Sequence, residues 1–440
     1  MTREDELMGA HPVPEGRLGR MVRLGTMVSG VVGGMVSQGA RQMAQGQRPS
    51  LPSVFLTPGT AQRLTRDLGQ MRGAAMKLGQ MLSMDTGLVL PAEMTAILAA
   101  LRNDAPPMTP KQLQTVLNAE WGAGWYARFP RFDLRPFAAA SIGQVHRAIT
   151  ADGRDLAIKV QYPGVRASID SDIDNVAALL RLPGLVPRGM SLSPVLDEAK
   201  RQLHQEADYL AEARHLMAFR TLLEGSDAFR LPDLQPDLCT SQVLAMTYVD
   251  SQPIEQLSNA AEDLRNQVAR DLIDLVLKEL FTFHLMQTDP NLANYRHDPA
   301  TGRIVLLDFG AVMPIDPDVV AAFRQLLRAA LDGRPADLHL AMLNVGYFDS
   351  ATAPRHQDLI TAMFTAAMAP LRQSEAYDFG SSALMVTLRD MGMGLGSERD
   401  LTHIPPPASL FLHRKIGGIY LLAAKLRAKV ALRALVERYC

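Results

Sequence analysis

The run FAAASIGQVHRA, from Phe137 to Ala148, is followed by the turn ADGR and then by LAIKVQ. It constrains the chain more than any other stretch. Asp152-Gly153 between two apolar segments predicts a tight hairpin, because glycine accepts the positive φ such a turn needs. Alternation along LAIKV directs Lys159 to one side of its strand, toward a cleft. The stretch entering the hairpin is unusual in holding Ala138, Ala139, Ala140 and Ser141 in a row.

The chain has 440 residues, enough for two or three lobes with a substantial core. With 47% hydrophobic and 21% charged residues, it has the composition of a folded protein. A formal net charge of -1 supplies no global attraction to nucleic acid, and no nucleic-acid partner is expected. Cys239 and Cys440 lie far apart, without zinc spacing or a disulfide framework, which fits a reducing compartment. No stretch has the form of a cleavable signal peptide.

Residues 1–58 form a basic, glycine-rich tail and linker. From Arg17 to Arg66 there is no acidic residue, and an uncharged run between Arg23 and Arg41 carries the spacing Gly30-x-x-x-Gly34. Such spacing lets helices pack closely in lipid, but the run is only weakly apolar. A surface-bound segment, a span and a non-membrane role all stay open. Residues 59–120 read as a helical extension, with an apolar stripe from Leu64 to Leu82 that leaves Lys77 and Gln80 off it. A kinase-like core is expected over 121–335, including one long helix from about Pro194 to Leu223 and another over Ala260–Leu285. Residues 336–440 read as a helical lobe, and everything after about Asp316 is helical by period.

Four elements occur in an informative order. Lys159 lies in LAIKV, and Glu212 lies on the helix that follows. Asp289 and Asn294 share a loop with the spacing D-x-x-x-x-N, and Asp308 opens DFG after the apolar Ile304–Leu307. Phosphoryl transfer needs such a set: a lysine on phosphates, a carboxylate to hold it, metal ligands, and a group to orient the nucleophile. Singly, each element has an ordinary structural explanation. Together and in order they indicate a nucleotide site.

The sequence resembles the UbiB group of atypical kinases (AarF/UbiB/ADCK), which support ubiquinone biosynthesis. MKLGQ matches the group's K-x-G-Q signature, Phe137–Gln144 its alanine-rich loop and Glu206-Ala-Asp208 its E-x-D motif. LFLHRKIGGIYLLAAKL is similar to its C-terminal helix. The resemblance implies an α+β, protein-kinase-like two-lobed fold that binds ATP and Mg²⁺. It implies that Lys159 pairs with Glu212 and holds phosphates under Ala138, Ala139, Ala140 and Ser141. Asp289 becomes the catalytic aspartate, Asn294 and Asp308 bind metal, and Met246 and Tyr248 lie at the adenine hinge. Lys77 and Gln80 reach the active site near Glu206 and Asp208 as a regulatory motif.

Leu292-Ala293 replaces the group's usual Pro-Gly before the metal-binding asparagine, and Gln287-Thr288 precedes the aspartate where His or Ala is common. The apolar run Ile416–Ala424 is too short to span a membrane, and charges flank it. Only AVMPIDP separates DFG from the next helix, and no A-P-E element follows, so the peptide-docking segment is expected to be missing. The implied activity is slow ATP hydrolysis or phosphorylation of a small or lipid molecule. The expected place is the cytoplasm, with contact at the inner-membrane surface. Anionic lipid, quinone precursors, quinone-biosynthesis proteins and a second copy of the chain are the candidate partners beside ATP and ADP. Two alternatives stay open: a non-catalytic, nucleotide-gated scaffold for isoprenoid lipid or a biosynthetic complex, and a phosphotransferase of the aminoglycoside or choline kind.

The tail yields the first prediction. A basic residue near an anionic surface contributes about 1 kcal/mol, so a chain starting near Leu51 should lose co-sedimentation with anionic liposomes while keeping nucleotide binding. Equal sedimentation of both chains would place any membrane contact elsewhere.

Overall fold

The computed structural model describes Lys77 and residues 107–180, 193–289, 291–396, 403 and 405–440. The tail, the stripe from Leu64 to Leu82 and Gln80 lie outside the described residues. The rest falls into two compact units. One runs to Arg214 and includes Asp233–Tyr248; the other comprises His215–Pro232 and Val249–Cys440.

The first unit is built on a five-stranded sheet. Its strands are β1 (Arg131–Phe132), β2 (Ala138–Ala140), β3 (Gly143–Ile149), β4 (Asp155–Gln161) and Val243–Thr247. β3 and β4 pair antiparallel with Val145 opposite Lys159, across the expected turn, where Gly153 has φ +87°. Leu156, Ile158 and Val160 point from β4 into the core, so the pleat turns Lys159 to the other face. The helix Pro110–Trp121 covers that core with Leu113 and Leu117. It starts where sequence chemistry says it should: the Thr109 side chain accepts from the Gln112 amide, and proline occupies the first turn.

A buried polar chain pins this hairpin to the start of that helix. Gln144 accepts from the Met108 amide at 2.9 Å, and its side-chain amide meets His146 Nε2 at 2.8 Å. His146 Nδ1 lies 2.8 Å from the Asp133 carbonyl, which can only accept. Nδ1 therefore carries the proton and Nε2 accepts from Gln144. Burial, which pushes the imidazole down to about 4, keeps it in this neutral form.

The long helix expected from Pro194 to Leu223 is two helices, Ser193–Glu206 and Tyr209–Leu222. Asp208 causes the break. Its side chain accepts from the Ala211 amide at 2.9 Å, and a capping aspartate starts a new helix more favourably than it continues an old one.

In the second unit, Ile304–Leu306 pairs antiparallel with Tyr295–His297 and parallel with Phe229–Arg230. The expected helix Ala260–Leu285 also ends early. Glu262–Lys278 is α-helical, Glu279–Phe283 makes a π-turn, and His284 takes a left-handed φ of +52°. Leu285–Gln287 then pairs with Val312–Pro314 as a short strand. Helices dominate after Asp316, with Pro at the start of Pro317–Asp332 and Pro335–Val345 and left-handed Gly333 and Gly346 after them. The two-residue strands Tyr377–Asp378 and Lys429–Val430 interrupt the expected all-helical reading.

Gly143 has no positive φ, yet it admits no side chain. A Cβ there would lie 2.3 Å from the Val160 carbonyl oxygen and 2.9 Å from the Tyr209 hydroxyl. Gly143→Ala should therefore force β3 from β4 and cost about 1–3 kcal/mol. Denaturant melts measure this; an unchanged midpoint would mean that the strands separate freely.

Candidate active site

In the first unit, Lys159 Nζ donates to both carboxylate oxygens of Glu212, at 2.8 and 2.9 Å. The pair is well enclosed, with side chains 11% and 2% exposed. β4 supplies the lysine from its non-core face, and the Asp208 cap sets the first turn of the helix that carries Glu212.

The alanine segment is strand, not open loop. Ala138, Ala139 and Ala140 pair with Val145, Gln144 and Gly143 around a turn at Ser141-Ile142. No residue from Ala138 to Gly143 has a positive φ. Alanine meets no strain here, so glycine's freedom is not required. Ser141 Oγ donates to Glu206 Oε2, while Lys77 Nζ donates to Glu206 Oε1 at 2.5 Å. One carboxylate thus ties the helical Lys77 to the alanine segment. Lys77 is 1% exposed, whereas a lysine off a helix's apolar stripe would ordinarily face water.

Met246 and Tyr248 lie at the end of the edge strand beside β4. Met246 is buried, and the Tyr248 amide donates to the Asp155 carbonyl at 2.8 Å. The Tyr248 ring takes the Arg147 guanidinium at 4.0 Å from its centroid and the edge of Phe137 at 5.6 Å between centroids. Arg147 is itself bidentate on Asp155, at 2.7 and 3.0 Å.

In the second unit, Asp289 and Asn294 come together. Asn294 Nδ2 donates to Asp289 Oδ2 at 3.1 Å, and the Asn291 amide donates to Asp289 Oδ1 at 3.3 Å. Leu292-Ala293 is accommodated in a single 3₁₀ turn capped by the Asn291 side chain. The Leu307 amide donates to the Asn294 carbonyl at 3.2 Å, coupling the loop to the strand that leads into DFG. Asp308 Oδ1 accepts from the Gly310 amide at 2.9 Å. Phe309 is buried, 4.8 Å from Phe219 between ring centroids, and its carbonyl meets His215 Nδ1 at 3.1 Å. Among the described residues no cluster of three or more His, Cys, Asp or Glu is placed to hold a metal. A carboxylate and an amide oxygen still suit Mg²⁺, which takes one or two protein oxygens and completes its shell with phosphate and water.

The ABC1 atypical kinase-like domain model matches residues 100–338. The chain belongs to the ABC1 family of atypical kinase-like proteins. It is 35% identical over 422 residues to the atypical kinase COQ8, mitochondrial, of Saccharomyces cerevisiae, covering 95% of this chain and 83% of that one. It is 33% identical to the atypical kinase COQ8B, mitochondrial, of Rattus norvegicus, covering 97% and 80%. Rv3197 of Mycobacterium tuberculosis, solved in complex with erythromycin, superimposes with a TM-score of 0.60 at 26% identity, over 87% of this chain and 95% of that chain. The fold is therefore the kinase-like α+β arrangement, and the chain is an atypical kinase, an enzyme of the phosphoryl-transfer class. Kinase-type chemistry takes its phosphoryl group from ATP. Among the described residues no helix is long and apolar enough to cross a membrane.

Removing one partner of the Lys77–Glu206 pair strands a buried charge, which typically costs about 3–5 kcal/mol. Lys77→Met should lower stability by that order, and Lys77→Met with Glu206→Gln should recover most of it. A double-mutant cycle by denaturant melts reads the coupling; additive single effects would show that the two groups stabilise the fold independently.

Proposed function

We propose that this chain is a Mg²⁺-dependent ATPase or kinase acting on a small or lipid molecule in ubiquinone biosynthesis. The observation that carries the phosphoryl-transfer part is the enclosed, bidentate Lys159–Glu212 pair. A buried ion pair is often no more stabilising than apolar residues of similar volume, so its presence asks for another use. In this proposal Glu212 holds the Lys159 ammonium in position to meet phosphate oxygens. Asp289, fixed by the Asn294 amide, orients the attacking hydroxyl or water. Asn294 and Asp308 hold the metal, which when bound supplies positive charge against the phosphates. Met246 and Tyr248 mark the adenine side, and Ala138–Ser141 the phosphate side.

The pathway rests on the resemblance to the ubiquinone-linked group and on relatives named COQ8. Anionic membrane and quinone precursors enter as partners on the same ground. The regulatory role of Lys77, Gln80, Glu206 and Asp208 is supported by the Lys77–Glu206–Ser141 contact, which joins two of the group's signature motifs.

The test is Asp308→Asn. Nucleotide at about a hundredfold excess over Kd should stabilise the wild type by about 2.7 kcal/mol, and the variant should lose most of this while its unliganded melting temperature stays put. Undiminished stabilisation by Mg-ADP in the variant would refute the metal role of Asp308. ATP turnover with and without liposomes and quinone-precursor phenols then tests the choice of acceptor.

A further inference from the structure

Lys415 sits on the helix Pro407–Lys425 where the sequence suggests a charge flanking an apolar run. It is instead buried, with both its side chain and that of Glu279 only 1% exposed. Its ammonium donates to Glu279 Oε2, to the Gln287 carbonyl at 2.9 Å and, more weakly, to Gln287 Oε1 at 3.5 Å. The Gln287 side-chain amide in turn donates to the main-chain carbonyl of Asp289 at 3.0 Å. Gln287 ends the short strand that leads into the loop, two residues before Asp289.

We propose that Lys415 is a positioning residue for phosphoryl transfer: anchored by Glu279, it grips both the main chain and the side chain of Gln287, and through Gln287 sets the backbone at Asp289. The proposal rests on the phosphoryl-transfer reading above. Lys415 and Glu279 do not touch substrate in this scheme. They act through Gln287.

Three observations favour positioning over simple packing. Beyond its bond to Glu279, the ammonium donates to the strand that enters the Asp289 loop, not to its own helix. Glu279 opens the π-turn, an irregularity that re-aims side chains and is frequent near functional sites. The left-handed His284 follows it, and its carbonyl accepts from the Ile315 amide at 2.9 Å, closing the segment on the strand that comes after DFG. Burial pushes the Glu279 carboxyl up to about 7 and the Lys415 ammonium down, each opposed by its partner. Lys415 and the Tyr295 hydroxyl both lie within electrostatic reach of Asp289. The pair is costly to hold in place, and what it holds is the entry to the aspartate.

The experiment compares wild type, Glu279→Gln with Lys415→Met, and Gln287→Leu, measuring the melting temperature, Mg-ADP affinity and ATP turnover. The double variant leaves no buried charge unpaired, so it should fold. Positioning predicts Mg-ADP affinity within about twofold of wild type and kcat lower by about tenfold or more, since a small displacement of a reacting group is costly. Gln287→Leu, which keeps the ion pair and the Lys415 bond to the main chain at position 287 but removes the side-chain link to the Asp289 carbonyl, should show the same split. Wild-type kcat in the folded double variant would overturn the proposal, as would kcat and affinity falling in parallel. Should the double variant not fold, Gln287→Leu decides alone: a lowered kcat at constant affinity supports the proposal and an unchanged kcat sinks it. A wild type that neither binds Mg-ADP nor turns over ATP would instead sink the phosphoryl-transfer reading itself.

Discussion

A lysine taken out of water keeps its charge at tolerable cost only where a carboxylate meets it and its remaining donors are used. Lys77, Lys159 and Lys415 each meet a glutamate on another element, and Lys415 also donates to Gln287. Each pair joins segments far apart in sequence, and each is enclosed enough that neither partner can be removed alone without stranding the other. Apolar packing sets where helices and strands lie to within a side chain's tolerance. An ammonium between fixed oxygens sets position more narrowly, because its hydrogen bonds weaken steeply with distance and angle. The proposed chemistry depends on that narrower kind of constraint.

The alanine segment shows how backbone and side chain divide this work. A glycine-rich loop can approach phosphate because its backbone is free; this segment is ordinary strand, paired residue for residue with β3. Its one indispensable glycine, Gly143, serves close packing against Val160 and Tyr209 rather than flexibility. Glu206 then holds the turn through Ser141. A loop held by sheet pairing and by a carboxylate has less freedom to close on a nucleotide than a glycine loop.

Much of this was legible in the residues. Alternation in LAIKV, the Asp-Gly turn and the D-x-x-x-x-N spacing that brings Asn294 onto Asp289 are local signals, and local signals survive folding. The readings that failed are those where one residue overrides a period. Asp208 fits a helical stripe by position but caps a new helix through its side chain. Glu279–His284 looks helical by pattern, yet a π-turn and a left-handed residue redirect the chain into a strand. Lys415 was unreadable for a different reason. Its partners lie more than a hundred positions away, and nothing local separates a charge that flanks an apolar run from one buried inside the fold. A hint was the placing of Arg414 and Lys415 in the middle of a helix whose other charged residue, Lys425, lies at its end.

The stretch after DFG bears on the size of the acceptor. In protein kinases a long segment here presents a platform for peptides. Here Gly310 is followed by Ala311 to Asp316, and each part of that short run is already engaged. The Ala311 carbonyl accepts from the Thr288 amide at 2.8 Å, Val312–Pro314 pairs with Leu285–Gln287, and the Ile315 amide reaches the His284 carbonyl. Asp316 caps the helix that starts at Pro317. No length is left over to form a docking loop, and the same hydrogen bonds that remove the platform tie the chain beyond Asp308 to the strand entering Asp289. The chain beyond Asp308 and the strand entering Asp289 are thereby braced against each other by backbone, with Lys415 bonded to the Gln287 carbonyl of that strand. The small or lipid acceptor proposed for this chain fits that arrangement, since it needs no peptide platform.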